Sequence, residues 1–258
     1  MDDETKEDVR PMQSKTLPIR NFEDVDSWET LMFLYNAALK EIGTKIDILN
    51  DEFQHIHRYN PIEHVKSRIK KPESIVKKLK KNGYESSIEN MVKYVNDIAG
   101  IRITCSFTSD IYRIADMIAK QSDLKILALK DYMKHPKESG YQSYHMLVTV
   151  PIFLSDSVVD TKVEIQIRTV AQDFWASLEH KIYYKFEGNA PDFISEELKE
   201  CAKIVAQLDA KMLSLNESIK KVEANASGDY TYQDEKTNNL LHNGMKTAGG
   251  KARRDKDV

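Results

Sequence analysis

Residues 162–168 have the sequence Lys-Val-Glu-Ile-Gln-Ile-Arg, in which polar and apolar side chains alternate without interruption. Successive side chains of a β-strand point to opposite faces of the sheet, so this alternation predicts a strand. One of its faces is apolar, and the other carries Glu164, Gln166 and Arg168. A carboxylate, an amide and a guanidinium on a single strand face make this the first place to look for a binding site.

Similar alternation predicts two further strands. Ile101 to Phe107 alternates apolar residues with Arg102, Thr104 and Ser106, and Val65 to Lys70 places Lys66, Arg68 and Lys70 on one face. Two more apolar stretches, Leu124–Leu129 and Tyr144–Val150, bring the predicted strands to five.

Helical spacing of apolar residues surrounds these strands. It predicts long amphipathic helices from Trp28 to before Pro61 and from about Asp192 to Val222, with shorter helices between them. One short helix is predicted to begin at a capping box of Ser86 and Glu89. Since strands and helices do not alternate strictly, the class is α+β, a mixed five-stranded sheet flanked by helices. We expect a flexible arm at 1–26, one domain at 27–223 and a disordered tail at 224–258.

Composition excludes several classes of protein. The chain has 258 residues and only two cysteines, Cys105 and Cys201, so it is long enough for a core and has no disulfide framework. It lacks an apolar run long enough to span a membrane, and its acidic start is unlike an export signal. We therefore expect a cytoplasmic protein with no membrane partner.

The net charge of −3 hides a local concentration of positive charge. Between Lys66 and Lys81 there are eight Lys and Arg residues and one acid, Glu73, so this window carries +7 and the remainder of the chain −10. Such a cationic segment favours a confined anionic ligand such as a nucleotide phosphate. The alternative is a solvated basic face without a ligand.

The polar strand faces together resemble a site for a metal-bound nucleotide. Mg²⁺ prefers one or two protein carboxylates plus phosphate oxygens, and Asp97 and Glu164 fit that role while nearby cations neutralise phosphate. Alternatively, Asp97 caps a turn and Glu164 pairs with Arg102 or Arg168. Walker, dinucleotide-binding, zinc-protease and Gly-x-Ser-x-Gly motifs are all absent from the sequence.

Five motifs, in order across about residues 61–187, resemble the small alarmone synthetases, single-domain relatives of the Rel/SpoT enzymes, and their RelP-type branch in particular. The motifs are Arg68-Ile-Lys70, Asn96-Asp97-Ile-Ala-Gly-Ile-Arg102, Lys137-Glu-Ser-Gly-Tyr141-Gln-Ser-Tyr-His145, Val163-Glu164-Ile-Gln-Ile-Arg168-Thr, and Phe174-Trp-Ala-Ser-Leu-Glu179-His180 with Tyr184-Lys185. The resemblance implies a nucleotidyltransferase-like synthetase fold. It also implies transfer of the β,γ-pyrophosphate of ATP to the 3′-hydroxyl of GTP or GDP, giving pppGpp or ppGpp and AMP.

The resemblance also implies the roles of individual residues. Arg68 and Arg102 would flank adenine, Lys70 and Lys78 would bind the ATP phosphates, and Asp97 and Glu164 would hold Mg²⁺, with Glu164 also acting as the base. The guanine nucleotide would be bound by the stacking of Tyr141 and by a further set of residues, His145, Gln166, Arg168 and Asp173. One departure concerns Gln142, where the family usually has arginine, so a cation near the acceptor is missing.

Family analogy further implies a homotetramer formed through the flanking helices, synthetase activity without hydrolase activity, and no requirement for nucleic acid. Two alternatives remain open from the sequence. The first is a toxic relative that pyrophosphorylates the 3′ end of tRNA, using the lysines at 77–81 as an RNA surface. The second is a regulator that binds nucleotides or RNA without catalysis.

Overall fold

A computed structural model describes residues 19–20, 27–57, 59–186 and 191–227. The strands are β1 Ile19–Arg20, β2 Ile62–Ile69, β3 Ala99–Cys105, β4 Lys125–Asp131, β5 Tyr144–Phe153 and β6 Val158–Thr169. The helices are α1 Trp28–His57, α2 Pro72–Lys81, α3 Ile88–Tyr94, α4 Thr108–Ala119, α5 Val170–Lys185 and α6 Asp192–Ser227. The α+β class and the two long helices are therefore confirmed.

The mixed five-stranded sheet is also confirmed, in the order β2-β3-β6-β5-β4. The β3 and β6 strands pair in parallel, and the other neighbouring pairs in this order are antiparallel. The sequence did not predict β1, a two-residue strand that pairs in parallel with Val158 and Val159 of β6. It falls within the expected flexible arm, whose other residues below 27 lie outside the described part.

One face of the sheet is apolar because every second residue of its central strands is Ile or Val. Ile101, Ile103, Val163, Ile165 and Ile167 are at most 1% exposed. The buried sides of α1 and α4 cover them in one continuous core. Burial of such side chains stabilises a fold by roughly 1.5–3 kcal/mol each. This core fixes which face of each central strand remains for polar side chains.

The ends of two helices differ from the sequence prediction. The cap of α3 is Ser87, whose Oγ accepts from the backbone N–H of Asn90 at 3.1 Å, and the predicted Ser86 lies one residue earlier. The α6 helix continues to Ser227, so the first four residues of the predicted 224–258 tail are helical. The rest of that tail lies outside the described residues.

The chain divides into two units, Met1–Lys211 and Met212–Val258. The first contains the sheet, and the described part of the second is the end of α6. Among the described residues, no helix combines the length and apolarity that crossing a membrane requires.

Candidate functional site

Strand register assembles the polar face of the sheet. Arg68 of β2 is opposite Gly100 of β3, which is in turn opposite Glu164 of β6. One step along, Gln166 is flanked by Arg102 of β3 and His145 of β5. Directly opposed residues share a face of a sheet, so four strands bring these side chains together on the side away from the apolar core.

Asp97 lies in the turn that leads into β3, and two lysines hold it. Lys70 Nζ donates to Oδ2 at 2.6 Å, and Lys78 Nζ donates to Oδ1 at 2.8 Å. Burial alone would raise the pKa of Asp97, but the hydrogen bonds and charges of the two lysines outweigh it and hold the pKa below its ordinary value. Asp97 is therefore ionised, and both lysines are already oriented toward the site.

Glu164 is the second carboxylate of this face. Gln166 Nε2 donates to its Oε2 at 2.8 Å, and His145 Nδ1 lies 3.5 Å from its Oε1. Burial would raise the pKa of Glu164 and nearby Asp97 adds to that effect, yet the contacts with His145 and Gln166 keep the pKa below its ordinary value. The carboxylate is thus ionised and held in place. The alternative in which it pairs with Arg102 or Arg168 is wrong, because the partners of Glu164 are Gln166 and His145 and the carboxylate partner of both arginines is Asp173.

The loop before β5 presents Tyr141 to the same face. Its hydroxyl accepts a hydrogen bond from Arg168 Nη2 at 2.5 Å and lies 2.8 Å from His145 Nε2. The Arg168 guanidinium carbon and Lys137 Nζ lie 5.0 Å and 4.7 Å from the ring centroid, within cation–π range. Burial raises the pKa of the Tyr141 phenol, and the positive charge of Arg168 only partly opposes it. The Tyr141 side chain is therefore neutral, and its hydroxyl is held by Arg168 and His145.

Asp173, in the first turn of α5, joins the two sides of the face. Its Oδ1 accepts from Arg102 Nη1 at 2.9 Å and from Arg168 Nη1 at 3.4 Å. Arg168 also donates through Nη2 to Gln166 Oε1 at 2.7 Å. A carboxylate is favoured at this position by the N-terminal end of the helix as well as by the two guanidinium groups.

The Tyr141 loop packs directly against α6. Gly140 has φ +85°, and a Cβ at that position would lie 2.5 Å from the Cβ of Ala202. Gln142 lines a small cavity beside Gln172, Trp175 and Ala202. Gln142, the residue that departs from the motif described above, therefore lies where the loop meets α5 and α6.

Several residues around the site were not predicted from the sequence. Thr169 and Gln172 form a capping box at the start of α5, because Thr169 Oγ1 accepts from Gln172 N and Gln172 Oε1 accepts from Thr169 N, each at 3.1 Å. Their Thr-x-x-Gln spacing is a signal that could have identified them. Asp209 of α6 accepts from Thr169 Oγ1 at 2.7 Å and from Gln172 Nε2 at 3.2 Å. No local pattern marks Asp209, since its partners are about 40 residues away in sequence.

Asp97 and Glu164 are the two carboxylates of this face that could hold a metal ion together with ligands from outside the protein. Within the described ranges, no cluster of three or more His, Cys, Asp or Glu side chains could hold a metal alone. Asp97 and Glu164 are nevertheless close enough to influence each other electrostatically, and both are ionised. Two carboxylates with cations beside them match the way Mg²⁺ is bound together with phosphate groups.

Residues 67–189 match the family described as "Region found in RelA / SpoT proteins". The chain is 46% identical over 195 residues to the GTP pyrophosphokinase YwaC of Bacillus subtilis, covering 76% of this chain and 93% of that protein. The fold resembles that of small alarmone synthetase 2 from B. subtilis, with a TM-score of 0.68 and 45% identity over 74% of this chain and 98% of the other. It also resembles small alarmone synthetase 1 from B. subtilis bound to its product pppGpp, with a TM-score of 0.70 and 32% identity over 75% and 98% of the two chains.

Proposed function

Because this chain belongs to the RelA/SpoT family as a small alarmone synthetase, we propose that the polar face of its sheet is where pyrophosphate is transferred from ATP to GTP or GDP. The protein is a GTP pyrophosphokinase that makes pppGpp or ppGpp and AMP. One observation carries the assignment of the site. Two ionised carboxylates, Asp97 and Glu164, lie among the lysines and arginines of one sheet face, which is the charge pattern that a metal-bound triphosphate requires.

The donor nucleotide is proposed to bind on the β2 side. Lys70 and Lys78, which now neutralise Asp97, would turn to the phosphates of ATP. The Lys70 and Lys78 side chains are 19% and 39% exposed, and Asp97 already fixes the positions from which they would reach the phosphates. Arg68 and Arg102 would flank adenine, because guanidinium planes stack on aromatic rings.

Asp97 and Glu164 would hold Mg²⁺ with the donor phosphates. When bound, the ion would neutralise negative charge on the phosphates that are transferred. Both carboxylates are ionised without it, so neither must lose a proton for the ion to bind.

Glu164 is the proposed general base. The 3′-oxygen of the acceptor forms a bond to the β-phosphorus of ATP, the bond from that phosphorus to the α,β-bridging oxygen breaks, and AMP leaves. The proton of the 3′-hydroxyl passes to the Glu164 carboxylate, which Gln166 and His145 hold in position. The remaining contribution is positioning and charge neutralisation, because phosphoryl transfer needs little covalent assistance.

The acceptor nucleotide is proposed to bind on the β5 side. The ring of Tyr141 would stack on guanine, a contact worth roughly 1–3 kcal/mol per base. His145 and Arg168 already fix its hydroxyl from two directions. Gln166, Arg168 and Asp173 would then place the nucleotide with its ribose toward Glu164.

We further propose a homotetramer that acts in the cytoplasm and needs no nucleic acid. Large apolar side chains are exposed on the flanking helices, which supports assembly through them: Phe33, Ile48 and Ile56 on α1, and Phe174 and Leu178 on α5. Light scattering coupled to size exclusion should give four chains per particle, and a monomer at micromolar concentration would refute the tetramer.

The function is tested by incubating purified protein with labelled ATP, Mg²⁺ and either GTP, GDP or tRNA, and separating the products by anion exchange. We expect pppGpp or ppGpp together with an equal amount of AMP. Omitting Mg²⁺ should abolish both products. Label transferred only to tRNA, or the absence of any transfer, would overturn the proposal.

A further inference from the structure

Asp173 bridges an arginine assigned to the donor and an arginine assigned to the acceptor through a single carboxylate oxygen. Arg102 Nη1 lies 2.9 Å from Oδ1 and Arg168 Nη1 lies 3.4 Å from the same atom. The side chains of Asp173, Arg102 and Arg168 are 17%, 28% and 6% exposed, so water screens these ion pairs only in part. Because both arginines contact the same oxygen atom, the position of one arginine affects how strongly Asp173 holds the other.

We infer that Asp173 couples the binding of the two substrates, and this inference rests on the proposed function for the assignment of donor and acceptor sides. Without ligands, the carboxylate holds Arg102. The donor must draw Arg102 away from Asp173 to stack it on adenine, and the acceptor must draw Asp173 away from Arg102. Whichever substrate binds first breaks the pair, so the second binds without that cost.

The incomplete satisfaction of Arg102 supports this exchange. Among the described residues, its Nε is buried and has no hydrogen-bond partner. Arg168, in contrast, also donates to Tyr141, Gln166 and Ser143. Arg102 is therefore the less firmly held of the two arginines and is the one that a ligand can move.

The coupling is measured as the ratio of the dissociation constants of GTP without and with a saturating donor analogue. An ATP analogue with a methylene group between the α and β phosphorus atoms blocks transfer, so binding is measured without turnover. By calorimetry we expect GTP to bind roughly three- to tenfold more tightly when the analogue is present. The analogue should gain the same factor from GTP, because the coupling is reciprocal.

Asp173→Asn removes the charge with little change in shape. In this variant we expect the ratio of the two GTP dissociation constants to fall to near 1. The ATP analogue alone should bind more tightly to the variant than to the wild type, by a factor about equal to the wild-type ratio. Direct contacts of Asp173 with GTP would change both dissociation constants of the ratio equally, so the ratio isolates the coupling. Asp173→Ser is a second neutral variant, used if the first fails to fold.

Two further variants test the charge itself. Asp173→Glu keeps the carboxylate and should keep most of the coupling. The matched control is Asp116→Asn on α4, which removes an exposed carboxylate paired with Lys120 at 2.6 Å and should leave the ratio unchanged. The inference is overturned if the wild-type ratio is 1, if Asp173→Asn keeps the wild-type ratio, or if Asp173→Glu loses as much as Asp173→Asn.

Product formation by the wild type separates this inference from the proposed function. A wild type that makes alarmone but shows a ratio of 1 refutes the coupling alone. A wild type that shows the coupling and makes no alarmone refutes the function and supports the bridging role of Asp173.

Discussion

The contact between Gly140 and α6 allows a substitution whose cost can be worked out from the structure. Gly140→Ala has two separate penalties. An L-residue at φ +85° costs about 1–2 kcal/mol, and a Cβ placed 2.5 Å from that of Ala202 adds about 1–3 kcal/mol of overpacking. If the loop remains in place, the free energy of unfolding should fall by roughly 2–5 kcal/mol, a large part of the stability of a typical domain.

The loop can avoid the clash only by moving. An ordinary contact to Ala202 needs 3.4 Å or more, so the displacement is close to 1 Å, and Tyr141 is the next residue. A displacement of that size can cost about a hundredfold in rate when it affects substrate positioning. Relief of the clash therefore raises KM for GTP or lowers kcat, while KM for ATP should change little.

Two other glycines provide matched controls. Gly83 has φ +79° but open space around its Cβ position, so Gly83→Ala has only the conformational penalty. Gly43 lies within α1 with nothing within 4 Å, so Gly43→Ala should stabilise the protein by about 0.5–1 kcal/mol. Urea unfolding of the three variants, with steady-state kinetics for each substrate, is the assay. The reasoning is refuted if Gly140→Ala is no less stable than Gly83→Ala and its KM for GTP is unchanged.

Three further predictions concern Glu164, Tyr141 and Asp209. Glu164→Gln should fold normally and lower kcat by at least about a hundredfold in the product assay, since the amide cannot take the proton; wild-type activity would exclude Glu164 as the base. Tyr141→Ala should raise KM for the guanine nucleotide by roughly 5- to 150-fold and KM for ATP far less, and equal effects on both would exclude the stacking role. Burial raises the pKa of Asp209, and its hydrogen bonds from Thr169 and Gln172 oppose this shift only in part. The free energy of unfolding of the wild type should therefore decline as pH rises from the ordinary carboxyl range through the raised pKa. Asp209→Asn should remove that decline, which is worth about 1.4 kcal/mol per unit of raised pKa. The measurement is thermal unfolding of both proteins between pH 4 and 8. Parallel curves of stability against pH would show that Asp209 does not titrate in this range.

The strands and their polar faces could be predicted because side-chain alternation is a local property. Glu164 and Gln166 share a face whichever strand lies beside them. Their partners could not be predicted in the same way, since register depends on how α1 and α4 pack on the other face. The contact between Glu164 and His145 joins residues of adjacent strands, whereas the alternative considered from the sequence was an ion pair with Arg102 or Arg168.

Helix ends show a similar limit at a smaller scale. Ser86 and Ser87 are adjacent and chemically identical, so only the backbone geometry before α3 decides that Ser87 is the cap. Periodicity predicts the apolar stripe of α6 as far as Val222, but it does not say how much of that stripe is buried. Leu198 and Ala202 are buried against the Tyr141 loop and α5, whereas Leu208 is 50% exposed.

Asp97, Glu164 and Asp173 already have hydrogen-bond partners before any nucleotide arrives, and the partners of Asp97 have a consequence for mutagenesis. Lys70 and Lys78 are held by Asp97, so Asp97 positions two lysines in addition to its proposed role in binding the metal. Removing its charge would release two lysines from their positions as well as weaken the proposed metal site. Loss of activity in an Asp97 variant therefore measures both effects together. A Lys70 or Lys78 variant instead leaves one ion pair of Asp97 intact. Comparing the activities of the Asp97, Lys70 and Lys78 variants therefore separates the positioning of the lysines from the binding of the metal.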